Sequence, residues 1–179
     1  MKRLAAAILC ICVLLLASGC AATRSSSRAE EGNGAAKEIA HWSRSRCQKA
    51  RKTIVRKARS RIGCRYRSAG RGPRVFDCSG LAYYAYSAAG INIPTNSTQQ
   101  FISGRRLDSE QALKQGDLVF FSRSKGSLTP GHVGIVVSYD RISHNFTFVH
   151  AANSGVELQH STARYYSERY IGAVRIIPK

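Results

Sequence analysis

The sequence predicts an α+β domain in which N-terminal helices pack on a small antiparallel β-sheet. Two observations carry this. Residues with helical spacing fill the stretch up to about position 103, and from position 116 onward the chain reads as short β-branched and aromatic runs separated by turn residues. Helices first and strands after them favour a segregated arrangement, with the strands in a meander or barrel-like sheet. Residues 38–179 are enough for one domain with a real core, and there is no internal repeat or second module.

The elements follow in order. A first helix is expected over 38–61, where Ile54, Ala58 and Ile62 recur at i, i+4 and i+8 with arginines and lysines on the other face, and Gly63 ends it. An arginine- and glycine-rich loop over 64–76 contains Tyr66. The second helix runs from Cys78 to Ala89, stopped by Gly90. A short third helix spans Thr95 to Ser103, capped by Asn96 or Ser97. Gly116-Asp117 marks a turn into the apolar strand Leu118-Val119-Phe120-Phe121, and a polar loop covers 122–130. Strands are expected over 132–139 and over 145–150, the second placing Phe146, Phe148 and His150 on one face. Two more strands are expected at 156–159 and 172–177.

Ahead of this domain, residues 1–19 read as an export signal. Lys2 and Arg3 precede the apolar run Leu4 to Leu16, which is too short for a stable membrane span. Leu16-Ala17-Ser18-Gly19-Cys20 resembles a bacterial lipobox, and the resemblance implies cleavage before Cys20 and lipidation of that cysteine. An ordinary secretory signal with a chance cysteine is the plainer alternative. Residues 20–37 form the lipidated N-terminus and a flexible tether. Ala21, where an aspartate is associated with inner-membrane retention, points to the outer membrane if the cell has one.

The formal charge of +18 is concentrated in the 44–74 segment, which holds no Asp or Glu. In a cytosolic protein such a block would be a nucleic-acid footprint. In an exported lipoprotein no nucleic acid is expected, and the partners become anionic envelope polymers and lipid head groups, held in a salt-dependent way. A merely solvated helix face accounts for the same residues equally well.

The chemistry centres on Asp77-Cys78-Ser79-Gly80. This sequence puts a cysteine at a helix N-terminus, where free N–H groups and the helix dipole favour a thiolate and lower the thiol pKa. His132 and His150 lie on successive strand candidates, which suits a base and the group that orients it. Cys47, Cys64 and Cys78 remain after Cys20. Pairing Cys47 with Cys64 would leave Cys78 as the free thiol, and two buried reduced thiols fit the sequence as well. A zinc site built from Cys78, His132 and His150 is the other chemical reading, but no closely spaced ligand pair supports it.

An ordered set of residues then resembles the NlpC-type cysteine peptidases, papain-like bacterial enzymes that cut the peptide stems of peptidoglycan. The set is Gly63, Tyr66, Phe76-Asp77-Cys78-Ser79-Gly80-Leu81, Gly90, Ile93-Pro94, Ser97, Gln100, Gly116 to Phe121, His132-Val133-Gly134-Ile135 and Phe148-Val149-His150-Ala151. The resemblance implies a papain-like NlpC-type fold over 38–179. It makes Cys78 the nucleophile, His132 the base and His150 the orienting residue. Tyr66 would serve the oxyanion, and Asp77 and Ser79 would line the groove. It also implies hydrolysis through a thioester, with no metal or cofactor, of the bond between γ-linked D-glutamate and the following diamino acid. Thr95, where the family commonly has arginine, and the segment Arg67 to Gly72 depart from the pattern in groove-forming loops. The competing non-enzyme reading is a lipid-anchored module that grips anionic envelope polymers.

Overall fold

A computed structural model describes residues 34–107 and 113–178. The export signal, Cys20 and the tether up to residue 33 lie outside the described residues. Among the described residues no helix is long and apolar enough to cross a membrane.

The helix expected over 38–61 is shorter than its range, and a separate short helix precedes it, reaching that range only at Glu38. The short α1 (Gly34–Glu38) takes up residues assigned to the tether, and α2 (Arg44–Arg59) follows after a break. Ser43 starts α2 by accepting the Arg46 N–H at 3.3 Å, and Trp42 before it turns into the core. Ile54 and Ala58 are fully buried as the spacing predicts, but Ile62 is 47% exposed. The helix stops at Arg59, so Ile62 no longer shares its face. Gly63 then takes a φ of +88°, and its N–H bonds to the Val156 carbonyl at 2.8 Å.

That bond and its return partner, Val156 N–H to the Cys64 carbonyl, dock the next segment on the far edge of the main sheet. The segment contains a two-stranded parallel pair that sequence reasoning left as loop, β1 (Arg65–Tyr66) with β2 (Val75–Phe76). Helix α3 (Cys78–Ser87) ends two residues before the predicted stop, and α4 (Ser97–Gln100) is a single turn capped by Asn96. The remaining elements are β3 (Arg105–Leu107), β4 (Leu118–Ser122), β5 (Pro130–Tyr139), β6 (Phe146–Ala152), β7 (Gly155–His160), α5 (Arg164–Ser167) and β8 (Tyr170–Arg175). The six-stranded sheet has the order β3-β8-β4-β5-β6-β7, and every pairing is antiparallel.

Leu118 to Phe121 on β4 are all fully buried because both faces of the sheet are covered. Leu118 and Phe120 join Ile54, Leu81 and Tyr86 of the helices in the main core. Val119 and Phe121 point the other way, into a second cluster with Phe148 and Tyr166. A buried ionic clamp ties α2 to the sheet. Asp117 accepts from Arg51 Nη1 at 3.1 Å, from Arg175 Nη2 at 2.7 Å and from the Lys114 N–H at 2.8 Å. Arg51 also donates to the Gln115 and Ile177 carbonyls, and the Tyr86 hydroxyl donates to the Gly116 carbonyl. The Gly116-Asp117 pair therefore fixes architecture and lies away from the chemistry described below.

Candidate active site

Asp77 is the N-cap of α3. Its carboxylate accepts the Gly80 N–H at 2.6 Å, which sets the helix start and presents Cys78 as the first helical residue. Gly80 is required there because a Cβ would collide with the Gly70 carbonyl oxygen, so the loop carrying Tyr66 can lie directly against the helix. The hydroxyl of Ser79 lies 3.0 Å from both Asp77 Oδ1 and the Thr95 carbonyl and is buried. Gln100, fully buried, donates to the Ser79 and Pro94 carbonyls. The side chains of Asp77 and Ser79, expected beside the groove, make bonds that hold the helix start and the 94–95 loop.

Cys78 faces the strand that carries His132. Its sulfur accepts the Val133 N–H, one residue beyond His132 on β5, and its charge acts on the Tyr66 phenol. Burial pushes the Cys78 thiol up, and the Asp77 carboxylate adds to this. The N–H groups of Val133, Ser79 and Cys78 itself pull the other way and do not prevail. The lowered thiol pKa expected from the helix N-terminus is thus overturned, because desolvation of the anion outweighs the helix end. Tyr66 is likewise pushed up, chiefly by burial and then by the charges of Cys78 and Asp77.

The histidines are held by the sheet. His132 Nε2 lies 3.0 Å from His150 Nδ1, joining β5 to β6. His150 is fully buried and His132 half-buried, within an aromatic cluster of Phe121, Phe148 and Tyr166. Burial lowers His132 to about 4, and burial together with the neighbouring His132 lowers His150 to about 3. Both rings are therefore neutral at pH 7. With Nε2 of His132 engaged by His150, its Nδ1 is the nitrogen left to take a proton from a thiol. A neutral thiol and a neutral imidazole on adjoining elements are compatible with chemistry in which a base removes the thiol proton during attack.

An open groove of about 490 Å³ borders His132. Its walls include Tyr66, Arg123, Glu157, Tyr165 and Tyr166. Gly131 admits Arg123 to this rim, since a Cβ there would lie 2.7 Å from the Arg123 Cα. Arg123, Glu157 and Tyr166 were missed from the sequence. For Glu157 a signal existed: Asn153-Ser154 is a two-residue hairpin turn, and that register sets Glu157 opposite His150.

The two imidazole nitrogens face each other and do not converge on a common point. Among the described residues no group of three His, Cys, Asp or Glu side chains is placed to hold a metal ion. Cys47, Cys64 and Cys78 are all free thiols, so the Cys47–Cys64 pairing is not formed. Cys47 is buried in α2 with its sulfur 4.0 Å from the Trp42 carbonyl.

Residues 63–175 match the NlpC/P60 family. The chain is 36% identical over 150 residues to murein DD-endopeptidase MepH of Escherichia coli (strain K12), covering 81% of this chain and 53% of that relative. It is 33% identical over 117 residues to a γ-D-glutamyl-L-lysine dipeptidyl-peptidase of Bacillus cereus, covering 65% of this chain and 34% of the relative. The chain thus spans about half the length of the first relative, and less of the second. The crystal structure of an NlpC/P60 family protein from Bacillus cereus superposes with a TM-score of 0.63 at 31% identity, over 72% of this chain and 40% of that one. The α+β, papain-like arrangement expected from the sequence is the fold observed.

Proposed function

The chain belongs to the NlpC/P60 family, and on that premise we propose that it is a cysteine endopeptidase that hydrolyses the stem peptides of peptidoglycan. The observation that carries this is the His132 Nε2–His150 Nδ1 bond at 3.0 Å. It leaves Nδ1 of a neutral imidazole for the thiol of Cys78, which lies by the next backbone N–H on the same strand. In this reading Nδ1 takes the thiol proton as sulfur attacks the scissile carbonyl. The proton passes to the leaving amine, and water then hydrolyses the thioester. The Cys78 N–H and the Tyr66 hydroxyl serve the oxyanion, each such donor being worth about 10²- to 10³-fold in rate. No cofactor enters this scheme.

The bond cut is proposed to be that between γ-linked D-glutamate and the diamino acid, the linkage named in the Bacillus cereus relative. A D,D-cross-link is the second reading, favoured by the likeness to the murein DD-endopeptidase of Escherichia coli. Mass spectrometry of muropeptides after digestion separates the two. Cys78→Ala protein, folded as judged by circular dichroism, is expected to release no product; undiminished release would sink the thiol mechanism.

The envelope is the proposed location, with lipid on Cys20 as the anchor to a membrane, the outer one where present. The exposed face of α2 carries Arg44, Arg46, Lys49, Lys52, Arg56 and Arg59. This face supports salt-sensitive binding to anionic envelope polymers as an accompaniment to catalysis. The non-catalytic binding module is the weaker reading, because it gives the histidine pair nothing to do.

A further inference from the structure

His150 has a second ring nitrogen, and its surroundings decide more than the position of that ring. Glu157 sits directly opposite His150 in the β6–β7 register, and its Oε1 lies 3.5 Å from His150 Nε2. The Tyr166 hydroxyl, from α5, lies 3.3 Å from the same nitrogen. From His132 the contacts run through His150 to two neighbours of its Nε2: the Tyr166 hydroxyl at hydrogen-bond distance and the Glu157 carboxylate at the groove, where the Glu157 side chain is 39% exposed.

A neutral imidazole carries one N–H and one lone pair. Two neutral imidazoles in series thus have two self-consistent arrangements. In the first, His132 Nε2–H donates to His150 Nδ1, His150 carries its proton on Nε2, and Nδ1 of His132 holds a lone pair. In the second, every proton is on the other side: His150 Nδ1–H donates to His132 Nε2, and His132 Nδ1 carries a hydrogen. Only the first makes His132 a base toward a thiol. A tyrosine hydroxyl fits either arrangement, because it both donates and accepts. An ionised carboxylate only accepts.

We propose that Glu157 is a positioning residue that selects the reactive tautomer of His132 by accepting the His150 Nε2–H. The inference rests on the proposed thiol mechanism for its functional meaning, but not for its structural content. In the step it supports, the S–H bond of Cys78 breaks and an Nδ1–H bond forms on His132. The electron pair stays on sulfur, and the carboxylate of Glu157 offsets the positive charge passed along the two rings. Both rings are held neutral by burial, so their tautomers, and not their ionisation, are what the site has to set.

The test uses 15N-labelled histidine in wild type, Glu157→Ala, Glu157→Gln, Glu157→Asp and Tyr166→Phe. Nitrogen NMR shifts at pH 7 report which ring nitrogen of His132 is protonated, whether or not the protein cleaves anything. Wild type is expected to hold the proton on Nε2. Glu157→Ala should show a mixture of tautomers, with kcat about 10- to 100-fold lower, by analogy with the outer partners of metal-bound histidines, and KM little changed. Glu157→Gln should fall between, Glu157→Asp should recover part of the loss, and Tyr166→Phe should keep the wild-type tautomer. Wild-type protein with its proton on His132 Nδ1, or Glu157→Ala with unchanged tautomers and kcat, would overturn the proposal. Absence of cleavage by wild-type protein would refute the proposed activity and leave the nitrogen spectra to decide the tautomer claim.

Discussion

Replacing Asp117 by alanine should destabilise this protein severely without touching its chemistry. Asp117 is 1% exposed, and Arg51 and Arg175 are each 6% exposed. The carboxylate is the acidic partner of both guanidiniums, at 3.1 Å and 2.7 Å. Removing it leaves two buried cations without that counter-charge and the Lys114 N–H without its acceptor. Breaking a buried pair in this way costs about 3–5 kcal/mol, against a total stability of about 5–15 kcal/mol for an ordinary domain. For a domain of this size that amounts to a fall in Tm of about 10–20 °C. Urea unfolding followed by circular dichroism measures the loss. Asp117→Asn keeps the shape, so a loss of similar size there assigns the effect to charge. Cleavage per folded molecule should hold at low temperature, because Asp117 does not border the groove. A loss below about 1 kcal/mol for Asp117→Ala would refute the view that this triad clamps α2 to the sheet.

Two further outcomes follow from the charges. The unfolded chain holds its histidines near 6.5, while the fold holds His132 at about 4 and His150 at about 3. The folded state therefore binds fewer protons in that interval, so the stability from these rings is complete above pH 6.5 and is lost as pH falls toward 4. Urea midpoints should drop between pH 7 and pH 5, and His150→Asn should flatten that drop; a wild-type midpoint constant over this interval would contradict the assignment. In membrane fractionation, Cys20→Ala protein should be released at about 1 M salt, where the Debye length is about 3 Å. At low salt a portion should stay bound through the α2 face. Full retention of that variant at high salt would exclude both lipid and charge as the anchor.

The site was legible where chemistry depends on neighbours in sequence. Cys78 reads as a helix start from the motif alone, and the Asp77 carboxylate one residue before it supplies the cap by accepting the Gly80 N–H. His150 was legible through strand alternation, which carries it inward with Phe146 and Phe148. The break at Trp42-Ser43 was missed because helical spacing continues on both sides of it. Ile62 was misjudged because a periodic pattern does not say where the helix stops. The bond from the Ser79 hydroxyl to the Thr95 carbonyl, 16 residues away, was not legible, because no local rule supplies that contact.

The sequence by itself determined the α+β class and the family, and it singled out Cys78, His132 and His150 as the candidate site residues. Those depend on ordered motifs and on periodicity, which are properties of the chain. Tertiary structure alone decided the protonation logic. Whether Cys78 rests as thiol or thiolate depends on desolvation against three N–H groups, one of them on β5. Which nitrogen of His132 is basic depends on His150, and through it on Glu157, a residue brought into line only by the register of β6 with β7. Burial and hydrogen-bond direction are properties of the packed molecule, and no run of neighbours in sequence contains them.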